Sequence, residues 1–215
     1  MEKTMSRVTC AILSGLFLFA FLSISNAQPR EIGMEKHSGI TTLYALDPIA
    51  QSLCMADGGY GSTIQGRQMF NRCSDLNFNS YLKDAFSVGI EGGREGQIVD
   101  IGTAIDLQKK YGYTETVGNF EGFASIDLME GKLSILKNYR DRTFQEMDEY
   151  KLLFQPPQSP SSANIKLGHI YVLRLTDRHD REFERIAKLV VVAHAPNEYV
   201  TIRWQVISER RNNKN

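Results

Sequence analysis

The chain has 215 residues, with 25 basic side chains against 25 acidic ones and a mean hydropathy of −0.30. That neutral balance excludes a bulk electrostatic role on nucleic acid or anionic membrane, while leaving room for a local patch. The length suits one domain with its own core.

Residues 1–27, MEKTMSRVTCAILSGLFLFAFLSISNA, read as a signal peptide. Lys3 and Arg7 charge the start, Ala11 to Ile24 is almost wholly apolar, and the small side chains of Ser25 and Ala27 end it. Cleavage is predicted between Ala27 and Gln28, which makes the product secreted or periplasmic. The rival is an uncleaved anchor, because the uncharged stretch from Val8 to Pro29 is long enough to span. Cys10 precedes the apolar run, whereas a lipidated cysteine follows it. After cleavage no stable membrane insertion is expected.

Excision removes Cys10 and leaves Cys54 and Cys73, an even pair in an oxidising compartment, so a Cys54–Cys73 disulfide is predicted. It closes a loop of about 20 residues and stabilises by about 3 kcal/mol on the chain-entropy model. The spacing is not C-x-x-C, and two cysteines without a nearby histidine make a poor metal site.

In chain order, a short strand is expected around Thr41–Leu46. Asp47-Pro48 then has the form of a helix start, with Asp at the cap and Pro at the first helical position, and Gly58-Gly59 as its stop. Leu76–Leu82 reads as a strand. Ala85–Ile90 and Gln97–Ile101 alternate apolar and polar residues, and the glycines between them suggest a hairpin. Thr103–Gly112 is the best-marked helix: Thr103 caps, Asp106 completes a capping box, Lys109 and Lys110 suit the dipole, and Gly112 terminates. A second hairpin is expected from Ala124, Ile126 and Leu128, the turn Glu130-Gly131, then Leu133 and Ile135. Thr143-Phe-Gln-Glu146 repeats the capping-box pattern and is read as a helix start with Phe144 and Met147 inward. Residues 155–163, QPPQSPSSA, are a loop. The last third is a meander of Lys166–Thr176, Phe183–His194 and Tyr199–Ile207, with Trp204 in step with Val200, Ile202 and Val206. Residues 209–215 are read as a disordered polar tail.

The fold class expected is therefore α+β, mostly antiparallel β built of meander and hairpins, with about three short helices. A sandwich or a small barrel fits. The domain plan is a signal at 1–27, a single mostly-β globular domain at 28–208 and the tail.

Catalytic motifs are missing from the sequence. The Gly58, Gly59, Gly61 cluster lacks the lysine of a phosphate-binding loop, and G-x-S-x-G does not occur. Ser125 is placed on a strand facing solvent. Asp177 and Asp180 sit in a turn as solvated charge, as do Glu91 and Glu95. Of the four histidines, His37, His179 and His194 have bland surroundings, whereas His169 lies two residues before Tyr171 so that both point to one face. His169 and Tyr171 are the candidate ligand-binding pair; no cofactor and no metal site are expected. Tyr199, Thr201, Arg203 and Gln205, with Arg174 and Lys188 on neighbouring strands, form a polar, weakly basic sheet face. Such faces contact partners or polysaccharide, and also occur as the wet side of an ordinary sheet.

The functional expectation is an exported, non-enzymatic binding or interaction protein of the cell envelope or extracellular space, with its partner unspecified and no nucleic acid involved. The alternatives are a secreted hydrolase with a site assembled from distant loops, and a carrier of a small ligand or haem.

Overall fold

A computed structural model of the chain describes residues 37–61, 74–89, 94–112, 121–138, 140–154 and 160–210. The signal segment, Cys73 and Glu91 lie outside them. The chain divides into two compact units, Met1–Met34 and Glu35–Asn215, and all the described residues belong to the second.

Antiparallel β structure dominates. The strands are β1 (Ser38–Tyr44), β2 (Ser52–Leu53), β3 (Leu76–Phe78), β4 (Ala85–Val88), β5 (Arg94–Thr103), β6 (Ile126–Met129), β7 (Lys132–Asn138), β8 (Thr143–Glu146), β9 (Ser162–Asn164), β10 (His169–Asp177), β11 (Glu184–Ala195) and β12 (Tyr199–Arg210). The helices are α1 (Ala104–Tyr111), α2 (Glu121–Ser125) and α3 (Glu149–Phe154). No helix among the described residues is long and apolar enough to cross a membrane.

The meander forms the centre of the molecule. β10, β11 and β12 lie side by side in a five-stranded sheet of order β1-β12-β11-β10-β5. Their alternation is set by period-two patterning, which sends odd and even residues of β11 to opposite faces. Ala187, Leu189 and Val191 enter one core; Ile186 and Val190 enter another. A buried sheet of this kind needs cover on both sides.

On the first side the cover is a four-stranded sheet, β2-β3-β4-β9. Leu76, Phe78, Phe86 and Val88 pack from it against Tyr171, Leu173, Leu189, Ile202 and Trp204. Trp204, 2% exposed, donates from Nε1 to Thr41 Oγ1 at 3.0 Å. The two sheets are separate ladders joined at one edge, where Ile98 N donates to Pro160 O at 2.9 Å. The two sheets thus share one core and are stitched together at that edge. On the second side, α1, α2 and the three-stranded sheet β6-β7-β8 supply Leu107, Tyr111, Phe123, Ile126, Leu133 and Ile135 to the second core.

Several sequence expectations need correction. The helix at Asp47 is a single turn: Asp47 Oδ1 accepts from Ile49 N and Ala50 N at 2.8 and 3.0 Å, as a cap would, but the chain then enters β2 because Ser52 and Leu53 pair with Asn77 and Leu76. Residues 85–101 are not a hairpin. β4 pairs with β3 and β9, while β5 pairs with β10 in the other sheet. The switch depends on Gly89, at φ +66, where a Cβ would stand 2.1 Å from Gly96 N. Thr143–Glu146 is a strand on β7, not a helix start, and Phe144 is 37% exposed. Ser125 ends α2 and is buried, Ala124 is helical, and Ser162 and Ala163 of the expected loop belong to β9, residues 155–159 of it lying outside the described residues. β12 continues through Glu209 and Arg210, whose side chains bond Arg185 and Glu184, so these two residues of the expected tail are strand, and residues 211–215 lie outside the described residues.

The best-marked helix is present as read. Thr103 caps α1 with a full capping box to Asp106, and Gly112 closes it at φ 63. Its Leu107 and Tyr111 are the buried residues.

Candidate functional site

One corner of the molecule brings charged groups from three segments together. The turn 166–169 ends on Gly168 at φ +77, and His169 N donates to Lys166 O at 3.2 Å, which folds Lys166 and His169 back over β5. The register of β10 on β5 shifts between Ile170 and Tyr171. Such a bulge re-aims side chains at a sheet rim.

Asp100 on β5 collects the result. Its Oδ1 accepts from Gly102 N at 2.9 Å and lies 2.8 Å from His169 Nδ1, while Oδ2 accepts from Lys166 Nζ at 2.9 Å. Burial alone pushes the carboxyl up, but the hydrogen bonds from His169, Gly102 N and Lys166 outweigh it, and the acid is held below its ordinary range. A carboxylate on Nδ1 fixes the ring's orientation.

Tyr171 stands on the same face, linked to His169 through Lys166. Its hydroxyl donates to Asn164 O at 2.8 Å and accepts from Lys166 N at 3.0 Å. Its ring meets Phe86 edge-on at 5.5 Å between centroids, and the residue is fully buried. Burial, helped by the charge of Asp100, pushes the phenol well above its ordinary range. A hydroxyl so committed braces β9 and the 164–166 turn against β10. His169, at 22% side-chain exposure, reaches solvent.

Beside this corner lies a cleft of about 320 Å³ between β5 and β9, with Ile98, Asp100, Pro160, Ser162, Asn164 and Lys166 on its walls. Asp100, Lys166, Ser162 and Asn164 are functional candidates that residue patterning does not single out. Asp100 stands between Val99 and Ile101, so alternation alone assigns it to an ordinary polar face.

The other histidine with a carboxylate is His194, whose Nε2 is 2.7 Å from Asp84 Oδ1. Asp84 also accepts from Asn197 N at 3.3 Å, so this pair fastens the β11–β12 turn to the end of β4. His37 and His179 are exposed, and His179 N donates to Asp177 Oδ1 at 2.8 Å. Asp177 is not solvated: it is 6% exposed and 3.6 Å from Arg94 Nε. Gly58, at φ +75, belongs to a turn.

The expected basic sheet face is only partly such a face. Lys188 is buried, donating to Ile126 O with its ammonium 4.8 Å from the Phe123 ring. Arg174 is tied to Glu184 at 2.7 Å. What remains open is the outer side of the β1/β12 pair. There Thr42 and Thr201 hydroxyls meet at 2.9 Å, the Tyr44 and Tyr199 rings lie 6.4 Å apart, and Ile40, 71% exposed, stands opposite Arg203.

Comparison with protein-family models, with curated proteins and with solved structures returned no significant match. Among the described residues no group of three or more histidine, cysteine or acidic side chains is placed to hold a metal ion.

Proposed function

We propose that this is an exported binding module of the cell envelope or extracellular space, with its ligand site at the Asp100–His169–Lys166 corner and the cleft beside it. The observation that carries the reading is the gathering of one carboxylate, one imidazole and one ammonium at the mouth of an open cleft, on a sandwich whose sheet-to-sheet core is packed with side chains. Binding sites have this form: a mostly apolar concavity with a few convergent polar groups. A packed interior also weighs against a carrier that encloses its ligand between the sheets.

A secreted hydrolase is the second reading. Asp100 on Nδ1 is how a carboxylate orients a general-base histidine. Among the described residues, however, no Ser, Thr or Cys is hydrogen-bonded to His169 Nε2, and a nucleophile within that reach is what the chemistry needs.

Export rests on the leader. The Cys54–Cys73 bridge is supported by the neighbourhood: Ser74, next to Cys73 in the chain, meets Ser52, two residues before Cys54, at 2.5 Å between hydroxyls. One intact-mass measurement on exported protein tests both. The expected chain starts at Gln28 and gains alkyl groups only after reduction; a chain starting at Met1, or thiols reactive before reduction, overturns the corresponding claim.

The binding reading is tested on arrays of envelope oligosaccharides and short peptides, using the mature protein and Asp100→Asn. Retention of at least one ligand class by the wild type, weakened about tenfold or more by the variant, is expected, since a charge-assisted hydrogen bond contributes roughly 1.5–3 kcal/mol. Equal retention by the variant overturns the site. Hydrolysis of a chromogenic ester, peptide or glycoside that disappears in His169→Ala establishes the second reading instead.

A further inference from the structure

The two ends of the central sheet expose different chemistry. At one end four turns are fastened together. Ala45 N donates to Glu198 O at 2.9 Å, which joins the turn after β1 to the β11–β12 turn. Asp84 accepts from Asn197 N through Oδ1 and from Ile165 N through its carbonyl, at 3.3 and 3.1 Å, which adds the β3–β4 turn and the turn before β10. These turns and the strand ends beside them carry Tyr44, Leu46, Ile49, Tyr81, Leu82 and Leu167, six of the eleven large apolar side chains exposed among the described residues. Leu46 is 92% exposed, so the fold gains almost nothing from burying it. The antiparallel order puts the β10–β11 turn at the opposite end. There the exposed side chains are Arg178, His179, Arg181 and Glu182, and Phe183 is turned into the core.

Apolar residues scattered singly over a surface are ordinary, whereas their gathering at one end marks a contact face. Here they stand on separate turns, around an open concavity of about 540 Å³ that Tyr44, Leu46, Pro48, Asp47, Asn197 and Glu198 wall. The concavity is acidic. Asp47 accepts from Ile49 N and Ala50 N, and these bonds hold its carboxyl below the ordinary range, so it is ionised at neutral pH. Glu198 is exposed beside it. Apolar tips around a pair of carboxylates complement a layer with ammonium groups outermost and hydrocarbon beneath. A zwitterionic phospholipid bilayer is such a layer. Leucine and isoleucine suit the acyl boundary, tyrosine suits the headgroup level, and the Tyr44 ring offers its face to an ammonium. The same carboxylates repel anionic headgroups, in keeping with a chain that has no basic excess.

We infer that this end of the protein docks reversibly on the surface of a zwitterionic phospholipid bilayer without spanning it, Leu46 and Leu82 entering the acyl boundary and Asp47 and Glu198 receiving headgroup ammonium groups. The inference does not depend on what the Asp100 corner binds. Lys166 of that corner belongs to one of the four turns, so docking turns the corner toward the lipid surface.

The test is flotation of the mature protein with large unilamellar vesicles of phosphatidylcholine and phosphatidylethanolamine, and with the same vesicles as phosphatidylglycerol replaces part of the lipid. The protein is expected to float with the zwitterionic vesicles and to do so less as the anionic fraction rises. Leu46→Ser and Leu82→Ser should each lower the partition about tenfold, the factor that burial of one leucine supplies. Phe144→Ser, an equal loss of exposed apolar surface on β8, should leave it within about twofold. Glu198→Gln should blunt the penalty from phosphatidylglycerol. Absence of co-flotation overturns the inference, and so does an unchanged partition in both leucine variants. Binding that rises with phosphatidylglycerol, or a penalty unchanged in Glu198→Gln, overturns the assignment of the carboxylates to ammonium groups. Sedimentation of the lipid-free protein covers the other occupant: self-association abolished by Leu46→Ser, without vesicle binding, assigns the face to a second copy and overturns docking on lipid. The wild-type lipid series needs no variant, so misfolding of a substituted protein does not decide the result.

Discussion

The two faces of the central sheet are closed in different ways. Between the two sheets the core is aliphatic and aromatic, and it ends in a buried charge set: Arg185 bonds Asp75 on one side and Glu209, at 2.7 Å, on the other, while Arg94 stacks 3.6 Å above Phe183. Asp75 also accepts from Met55 N at 2.8 Å. Burial pushes its carboxyl up, against the pull of Arg185 and the Met55 N–H. On the helical face the buried cation is Lys188, held by a main-chain carbonyl and set over an aromatic ring. The first arrangement ties strands from two different sheets through ions. The second fills a gap under a short helix. Removing a charge should therefore cost much more on the sandwich side, because partners there are left buried and ionised.

The largest expected effect is at Arg185. Arg185→Met should lower unfolding free energy by about 3–5 kcal/mol, read as a fall in the urea midpoint at unchanged slope. The pair Asp75→Asn with Arg185→Met should recover part of that loss. Lys188→Met should cost less, about 1–3 kcal/mol for leaving the Ile126 carbonyl unpaired. Equal losses at the two positions would remove the distinction between the faces.

A smaller effect concerns acid. Asp100 and Glu184 are both held below their ordinary range despite burial, Asp100 by His169, Gly102 N and Lys166, Glu184 by Arg174 and Arg210. A depressed folded-state value means that these groups contribute stability above the unfolded carboxylate value, near 4, and lose it as pH falls through the folded one. Asp75, raised by burial, contributes with the opposite sign. Stability of the wild type should decline below about pH 4, and Asp100→Asn should flatten that limb. An unchanged acid limb in Asp100→Asn would show that its hydrogen bonds contribute nothing to folding.

The parts of the fold legible in the sequence are those whose structure is decided locally. α1 carries its own cap, box and stop, and the meander carries period-two patterning long enough to fix register. Where short segments choose their partners at a distance, local signs mislead. Asp47 does cap a turn, but Ser52 and Leu53 find β3 before a second turn can form. Thr143-Phe-Gln-Glu146 has a capping box in composition, and β7 takes it as a strand. The glycines between residues 90 and 97 suggest a turn, and nothing nearby shows that the chain beyond it joins another sheet. The corner at Asp100 is hidden for the same reason. His169 is visible as a candidate, but Lys166 and Asp100 reach it through a tight turn and a bulge, and neither has a signature in residue spacing.

Trp204 is the only tryptophan in the chain. Its ring lies against Gly39 of the edge strand, where an added Cβ would come within 3.0 Å of it, and its indole N–H is given to Thr41 of the same strand. The protein thus carries a single indole, excitable apart from its tyrosines, seated on the joint between β1 and the rest of the sheet. Its emission reports the docking of that edge strand, free of interference from any second indole, and peeling of β1 would be seen as a red shift before the sandwich itself opens.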